Sequence, residues 1–376
     1  MNKNLAIAWC ATVLSFCTLY IPQPILPLLG DEFGVGAADS ALLITVTLAP
    51  LGLAPIVYGY FLQAIPARSM LRAAVLLLIV NQLAFLAASE FWHLLALRFA
   101  QGLLMPAIFT SVMTYFATMA RAEQVRRAMG WYVAATILGG FLSRAFGGVF
   151  TEHLGWHWAF ALPALMLLPV WFLLRRLDAD AEINFARLSL RSIRRVLADP
   201  LYRRAYLALA CAFMAFSGTL NLLPFRLGEV DPSAGPSRIA LLYTGYLVGI
   251  PVAIAAERLV RASGRFSRAA LLGLVVNAVG MGAYWLGNAA VLFAAMFLYA
   301  ASMFFIHAAL SGLVNDRATE HKGVINGLYV SVYYLSGALG SWLPGYAYGA
   351  FGWHAWVLTA LAMTVAAAGF AARIRA

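Results

Sequence analysis

Two arginines lie inside long apolar segments of the sequence, where a positive charge is unexpected. Arg98 and Arg144 fall within stretches that are long and apolar enough to cross a lipid bilayer. A charged side chain in such a stretch is costly and marks a candidate functional site. The guanidinium donors form a fork that matches a carboxylate or a phosphate. The pair therefore predicts a binding site for an anion; in the alternative interpretation, each arginine bonds to carbonyls of neighbouring helices or to a carboxylate at a helix end.

Acidic residues are absent from the middle of the same apolar segments. Glu32, Glu90 and Glu152 stand at segment ends, and Glu257 lies near the end of another segment. An exporter of lipophilic cations is expected to place a carboxylate in a segment that lines its cavity, because the ligand charge needs a partner in a low dielectric. Arginines without acidic residues in the middle of these segments favour an anionic or zwitterionic small molecule as the ligand.

Other polar residues inside the segments are weaker candidates for the same site. His307 is the only histidine well inside a segment, and its ordinary pKa near neutrality suits proton coupling; alternatively it is a packed polar residue. His153 and His157 have the spacing of a helical metal pair but no third ligand, so no metal site is predicted, and no cofactor motif is present. The remaining candidates for binding the ligand are Tyr20, Gln23, Gln101, Asn221, Tyr333 and Tyr334.

The composition indicates that lipid is the solvent for most of the surface. Of the 376 residues, 63% are hydrophobic and only 11% are charged, whereas a soluble domain carries about 25% charged residues. Mean hydropathy is +0.83. We predict an all-α membrane protein of twelve transmembrane helices. The predicted segments are 5–29, 39–62, 70–90, 93–118, 128–150, 157–175, 203–227, 239–260, 268–287, 289–312, 325–348 and 354–373.

The basic residues are distributed unevenly between the two sets of connections. Most of the 26 Lys and Arg residues fall in the connections on the side of the termini, such as those with Arg68 and Lys322. The other connections carry acidic residues, such as Glu32, Glu152 and Asp231. The positive-inside rule then predicts that both termini are cytoplasmic. It also accounts for the net charge of +11 without a nucleic-acid partner.

A polar stretch divides the chain near its middle. It predicts an N-terminal six-helix bundle over 1–176, a cytoplasmic linker over 177–202, and a C-terminal six-helix bundle over 203–376. Within the linker, Leu190, Ile193 and Leu197 recur at helical spacing among arginines. This pattern is typical of a basic amphipathic helix on an anionic leaflet; a solvated linker is the alternative.

The two predicted bundles share an internal repeat. At a shift of 197 residues, the segment 130–157 falls on 327–354 without a gap, and both copies end in Gly-Trp-His. Parallel repeats of six helices are related by an axis along the membrane normal, and they place a site at their interface near the midplane. The repeat therefore predicts a transporter that rocks around a central site.

Three motifs resemble those of the major facilitator superfamily, and the resemblance covers essentially the whole chain. The stretch "GYFLQAIPARSML" (Gly59–Leu71) stands where the family has Gly-x-Leu-x-Asp-Arg-x-Gly-Arg, with Gln63 in place of the aspartate. The stretch "RFAQG" from Arg98 matches the family's Arg-x-x-Gln-Gly. The fifth segment has the glycine spacing of the antiporter motif, with Arg144 in place of the usual proline. By this resemblance, the gating or packing residues are Gly59, Arg68, Gly139, Gly147, Gly148, Gly264 and Arg265.

The resemblance implies a bacterial efflux protein of the drug–proton antiporter type. We expect a monomeric, proton-coupled exporter of a small organic metabolite or drug in the bacterial inner membrane, working by alternating access. A proton-coupled importer of the same architecture is the near alternative. An intramembrane enzyme would require a cluster of His, Asp, Ser or metal-ligating residues inside the segments. The sequence has no such cluster.

Overall fold

The computed structural model describes residues 3–61, 65–118, 122–177, 182–183, 189–318 and 320–374. Among them, fourteen α-helices and one pair of two-residue strands are found. The helices are α1 (Lys3–Phe16), α2 (Leu26–Phe33), α3 (Ala37–Phe61), α4 (Ala67–Leu83), α5 (Phe91–Thr118), α6 (Ala122–Leu154), α7 (Trp156–Leu173), α8 (Leu190–Ala198), α9 (Pro200–Val230), α10 (Pro236–Leu241), α11 (Gly249–Ala262), α12 (Phe266–Ala283), α13 (Ala289–Arg317) and α14 (Lys322–Ala372). The strands are β1 (Ile65–Pro66) and β2 (Glu182–Ile183).

The helices account for the twelve predicted transmembrane segments. In the described part of the chain, ten helical stretches are long and apolar enough to cross a membrane. One of them, α14, contains two segments, because Gly352 has a φ of 75° that breaks the helix. The first predicted segment is the twelfth. It is not one continuous helix but consists of α1, a 3₁₀ turn at Gln23–Ile25, and α2. The prediction of an all-α membrane protein is confirmed.

Prolines break the first segment. Pro22 and Pro24 cannot donate the backbone hydrogen bonds that a continuous helix needs, whereas Pro27 stands in the first turn of α2, where no such bond is required. The chain therefore leaves the α-helix after Phe16 and forms turns up to Leu26. Carbonyl groups freed in this way must find partners inside the membrane. The break brings Tyr20 and Gln23 to the centre of the bundle with irregular backbone on either side.

The outer surface of the bundle is apolar, as expected for contact with lipid. The exposed large side chains include Phe351 at 77% exposure, Ile254 at 76% and Val365 at 66%. The buried core instead contains small residues and aromatic rings, such as Phe85 stacked on Phe160 with centroids 4.0 Å apart. Small residues at helix contacts allow close approach where lipid provides no hydrophobic drive for association.

The two copies of the repeat have matching backbone conformations at their ends. Gly155 and Gly352 both adopt positive φ, 91° and 75° respectively. Each glycine precedes a buried tryptophan, Trp156 or Trp353, which begins the last helix of its half. A residue with a Cβ is strained at such φ values. The Gly-Trp-His triplet is thus repeated because the same helix entry occurs in each half.

The described part of the linker is short and packs on both halves. The strand β2 pairs antiparallel with β1, so that Ile65 opposes Ile183, and this brings the linker against the connection between α3 and α4. After it, α8 forms over Leu190–Ala198 where the amphipathic helix was predicted. Gln63 of the loop motif lies outside the described residues. The division at 177–202 stays a prediction.

Candidate functional site

A cavity of about 490 Å³ lies between the two halves of the chain. It reaches from mid-bundle to the end that carries the basic connections, here called the basic end, because its wall includes Tyr58 near the end of α3 and Gly323 in the first turn of α14. Of the described residues that line it, none is Asp, Glu, Lys or Arg, and most are apolar or aromatic. The lining includes Phe16, Tyr20, Tyr58, Phe109, Tyr132, Phe216, Tyr246, Phe304, His307, Tyr329, Tyr333 and Tyr334.

At the opposite end, which carries the acidic connections and is called the acidic end, the halves are in contact. Gln23 Nε2 donates to Asn221 Oδ1 at 2.5 Å, and Glu152 Oε2 accepts from the backbone N–H of Ser237 at 2.8 Å. The structure is therefore closed at the acidic end and has its cavity at the basic end. Just beyond α9, hydrogen bonds from Ser233, together with nearby Arg238, lower the pKa of the Asp231 carboxyl group.

Arg144 lies at the closed side of the cavity, in the seam between the halves. Its guanidinium carbon is 4.3 Å from the ring centroid of Tyr20 in the first half. It is 4.6 Å from the centroid of Tyr246 and 5.0 Å from that of Tyr243, both in the second half. Tyr20 and Tyr246 also line the cavity. The arginine is 1% exposed and is separated from the cavity by one layer of rings.

The hydrogen bonds of Arg144 involve neutral groups. Nε donates to Gln23 Oε1 at 2.6 Å, and Nη1 donates to the carbonyl of Gly140 at 2.6 Å. None of the four ion pairs among the described residues includes this arginine. A charge in a low dielectric is stabilised best by an opposite charge. Arg144 is thus a buried cation held by aromatic faces and amide oxygens, without a carboxylate of the described protein as counter-ion.

Arg98 has a different environment and does not line the cavity. Nε donates to the carbonyl of Leu43 at 2.9 Å, and Nη2 to that of Leu19 at 2.6 Å. Nη1 donates to the carbonyl of Thr18 at 3.3 Å and to Gln101 Oε1 at 2.5 Å. Gln101 in turn donates to the same carbonyl of Thr18 at 3.0 Å. The two side chains thereby satisfy the carbonyls that the proline break leaves free, as in the alternative interpretation of Arg98.

We predict that Arg98 serves folding, since its fork joins α3, α5 and the break after α1. The Arg98→Gln substitution removes charge-assisted hydrogen bonds, each of which contributes about 1.5–3 kcal/mol. We expect a clear decrease in the thermal stability of the purified protein. The Arg258→Gln variant is the matched control at an exposed arginine. An unchanged melting temperature in Arg98→Gln, combined with lost transport, would instead support direct contact with the solute.

His307 lies in the cavity wall and is paired with a tyrosine. Tyr329 Oη donates to the carbonyl of His307 at 3.1 Å and is 3.2 Å from its Nδ1. The ring of Tyr333 packs against the imidazole edge to face, with centroids 5.0 Å apart. Among the described lining residues, His307 is the only group that ordinarily titrates near neutrality.

The antiporter-motif residues of α6 form two stripes that contact different partners. Gly139 and Gly147 face the first segment, where an added Cβ would meet the backbone carbonyls of Val13 and Ile21. Between them, Ser143 accepts from the N–H of Tyr20 at 2.7 Å. The spacing of four residues keeps these three positions on one face. This stripe fixes the broken segment against α6.

The second stripe is shifted by one residue and faces the other half of the chain. A Cβ on Gly140 would lie 3.4 Å from the Tyr246 ring, and one on Gly148 would collide with Pro236 and Ala240. Arg144 is the middle member of this stripe. The motif spacing therefore places the unusual arginine at the contact between the halves.

The Gly148→Leu substitution should prevent the acidic end from closing, because no space exists for a side chain beside Pro236. We expect a longer distance between spin labels at positions 149 and 241 than in the parent protein, measured in a cysteine-free background. Gly130→Leu is the control, since nothing lies within 4 Å of its Cβ position. Identical distance distributions in both variants would contradict the assignment of this stripe.

The remaining motif residues lie at helix ends on the basic side. Arg68 Nη2 donates to the carbonyl of Arg175 at 2.5 Å, which ties the start of α4 to the end of the sixth segment. Gly264 has a φ of 78° and follows α11, and Arg265 is the N-cap residue of α12. Gly59 lies in the last turn of α3. Arg68, Gly264 and Arg265 are not among the described residues that line the cavity.

Sequence reasoning missed most of the aromatic lining. Tyr20, Tyr333, Tyr334 and His307 were named as candidates and do line the cavity. Tyr246 was not named, although it contacts both the cavity and Arg144. Aromatic residues at helical spacing also occur on lipid-facing surfaces. The sequence therefore carries no signal that separates cavity-lining rings from lipid-facing rings. No group of three or more His, Cys, Asp or Glu suited to a metal occurs within the described ranges.

Comparison with known proteins gives consistent results. The sequence profile of the Major Facilitator Superfamily matches residues 8–341. The chain is 27% identical over 360 residues to the inner membrane transport protein YnfM of Escherichia coli (strain K12), covering 94% of this chain and 86% of that protein.

Solved structures show the same fold. The occupied, inward-facing form of a bacterial homologue of the human lysosomal transporter Spinster superposes with a TM-score of 0.77 at 15% identity, covering 99% of this chain and 96% of the other. The human organic anion transporter MFSD10 (TETRAN) gives a TM-score of 0.70 at 16% identity, with 98% and 99% covered.

Proposed function

The chain belongs to the major facilitator superfamily, and we propose that this membrane transporter is a proton-coupled exporter of a small organic solute with a negative or zwitterionic charge. Membership makes it a multi-pass secondary transporter rather than an enzyme. The charge of the solute, the coupling ion and the direction are the parts proposed here. The observation that carries the proposal is the buried cation, Arg144, directly behind an aromatic cavity at the seam of the two halves.

The position of the cavity supports alternating access. The cavity lies between the halves, and the contacts that close it at the acidic end join residues of different halves, such as Gln23 with Asn221. Rocking of one half against the other would break these contacts and open the acidic end. With the termini and the basic end in the cytoplasm of a bacterial cell, the present state is open to the cytoplasmic side of the inner membrane.

The electrostatics of the cavity support an anionic solute. Its described lining contains no acid to pair with a cationic substrate. Arg144 instead contributes a positive potential from behind Tyr20 and Tyr246, across a low-dielectric layer where charges interact strongly. The tyrosine and phenylalanine rings suit the apolar or planar part of the solute. We infer a small molecule with a carboxylate on an apolar or aromatic body.

The proton site proposed here is His307. It is in the cavity wall, where it can exchange protons with water from the basic end, and Tyr329 fixes its ring. We propose that the protein works as a monomer, since the described residues of one chain supply all these groups.

Transport in proteoliposomes under an imposed pH gradient tests the proposal. The solute is first identified by comparing metabolites inside and outside cells with and without the protein. Movement of this solute against the direction of proton flow is expected. Movement together with protons would indicate an importer, and transport that ignores the pH gradient would contradict proton coupling.

A further inference from the structure

The linker helix α8 has an amphipathic surface that the transport cycle does not use. It begins after Ser189, whose side chain accepts from the N–H of Ser192 at 3.1 Å. On the side facing the protein, Val196 is buried and Ile193 packs on the core of the second half. The helix is therefore anchored to the bundle through one face and leaves the others free.

The free faces have a defined order around the helix axis. At about 100° per residue, Leu190 and Leu197 lie next to the anchored face, and Arg194, Arg191 and Arg195 follow. Leu190 is 76% exposed and Leu197 is 37% exposed, and the three arginines are exposed as well. Apolar side chains adjoining a row of arginines are typical of helices that lie in a membrane interface.

The position of α8 in the fold places it at the depth of the lipid headgroups. It ends at Ala198, and Asp199 caps the next helix, α9, which starts at Pro200. That helix has 31 residues, and at about 1.5 Å per residue it exceeds a hydrocarbon core of about 30 Å. Its first turns carry Arg203 and Arg204, which are costly inside hydrocarbon. The first turns therefore lie outside the hydrocarbon, and α8 lies beside them.

The helix also contacts the segment that forms the mouth of the cavity. Arg195 Nη1 is 3.3 Å from Nε2 of His321, the residue that precedes α14. Two residues further along, Gly323 lines the cavity. The C-terminal part of α8 therefore lies next to the mouth of the cavity, and an interaction that fixes α8 also fixes this contact.

We propose that α8 is a surface-bound lipid sensor. Leu190 and Leu197 enter the boundary between headgroups and acyl chains, and Arg191, Arg194 and Arg195 bind anionic headgroups of that leaflet. Each basic residue near an anionic surface contributes about a threefold to tenfold gain in binding. Anionic lipid then stabilises the docked position of α8 and, through Arg195 and His321, the open mouth at the basic end.

Hydrogen–deuterium exchange of the full-length protein in lipid nanodiscs tests the proposal. Amides of α8 should exchange on the order of tenfold more slowly in discs that contain phosphatidylglycerol than in phosphatidylcholine discs. The protection should disappear in the variant with Arg191→Gln, Arg194→Gln and Arg195→Gln. It should persist in the matched control with Arg258→Gln, Arg261→Gln and Arg268→Gln, which alters another basic connection.

Three outcomes would overturn the proposal. Equal exchange in the two kinds of disc would mean that α8 is a solvated linker. Protection that survives in the triple-glutamine variant would remove the arginines from the interaction. Equal protection by soluble glycerol phosphate in phosphatidylcholine discs would replace the leaflet by a free phosphate. None of these measurements depends on the transported solute.

Discussion

Replacement of Arg144 by glutamine should reduce transport of the anionic solute by about 30-fold or more. Arg144 acts on the solute through one layer of rings, and two unit charges about 8 Å apart interact by about 2 kcal/mol at an effective dielectric constant of about 20. About 2 kcal/mol corresponds to that factor. The substitution also removes the cation from among the Tyr20, Tyr243 and Tyr246 rings, where it joins the two halves. The measurement is uptake or efflux of the labelled solute in proteoliposomes.

Two controls separate the charge of Arg144 from its contribution to packing. Arg144→Lys keeps the positive charge but loses the fork that reaches Gln23 and Gly140 together. We expect it to retain part of the transport. The primary amide of the solute is a neutral analogue, and the glutamine variant should no longer distinguish it from the acid. Full discrimination between acid and amide in Arg144→Gln would remove the basis for an anionic substrate, even if proton-coupled transport persisted.

Replacement of His307 by glutamine should uncouple transport from protons. Glutamine keeps a polar side chain in the cavity wall but cannot titrate. We expect that a pH gradient no longer drives accumulation of the solute, while exchange of labelled for unlabelled solute at equal concentrations continues. The two assays are run on the same proteoliposomes, so a folding defect would lower both.

Tyr329→Phe is the matched control for His307, because it keeps the imidazole and removes only the hydroxyl that binds it. This variant should still accumulate solute against a gradient. Accumulation that survives in His307→Gln would assign the proton to another group. Loss of accumulation in both variants would mean that local geometry, rather than titration of the imidazole, couples the cycle.

The fates of the two buried arginines show how far a sequence can predict a site. Both were recognised because a charge in an apolar segment is rare and costly. Their environments differ because of residues far away in the chain: the proline break supplies carbonyls to Arg98, whereas Tyr243 and Tyr246 surround Arg144 from the other half. No local pattern records such distant neighbours, so one prediction covered two different environments.

The antiporter motif gives a second example. Its glycine spacing was visible in the sequence, but the division into one stripe facing the first segment and another facing the opposite half was not. Neighbouring positions such as Gly147 and Gly148 hold the same residue type, so the sequence does not distinguish them. They differ only because successive residues of a helix point in directions about 100° apart, and the partner in each direction is set by the fold.

The sequence by itself determined that this is an all-α membrane protein and to which family it belongs, and it predicts twelve crossings in two related halves. These properties follow from composition, periodicity and internal repetition, which are local or additive along the chain. Only the tertiary structure decided which polar groups meet, which aromatic rings enclose the cavity, and which end of it is closed. Such contacts join segments more than a hundred residues apart, as between Gln23 and Asn221, and they depend on how helices pack rather than on what each one contains.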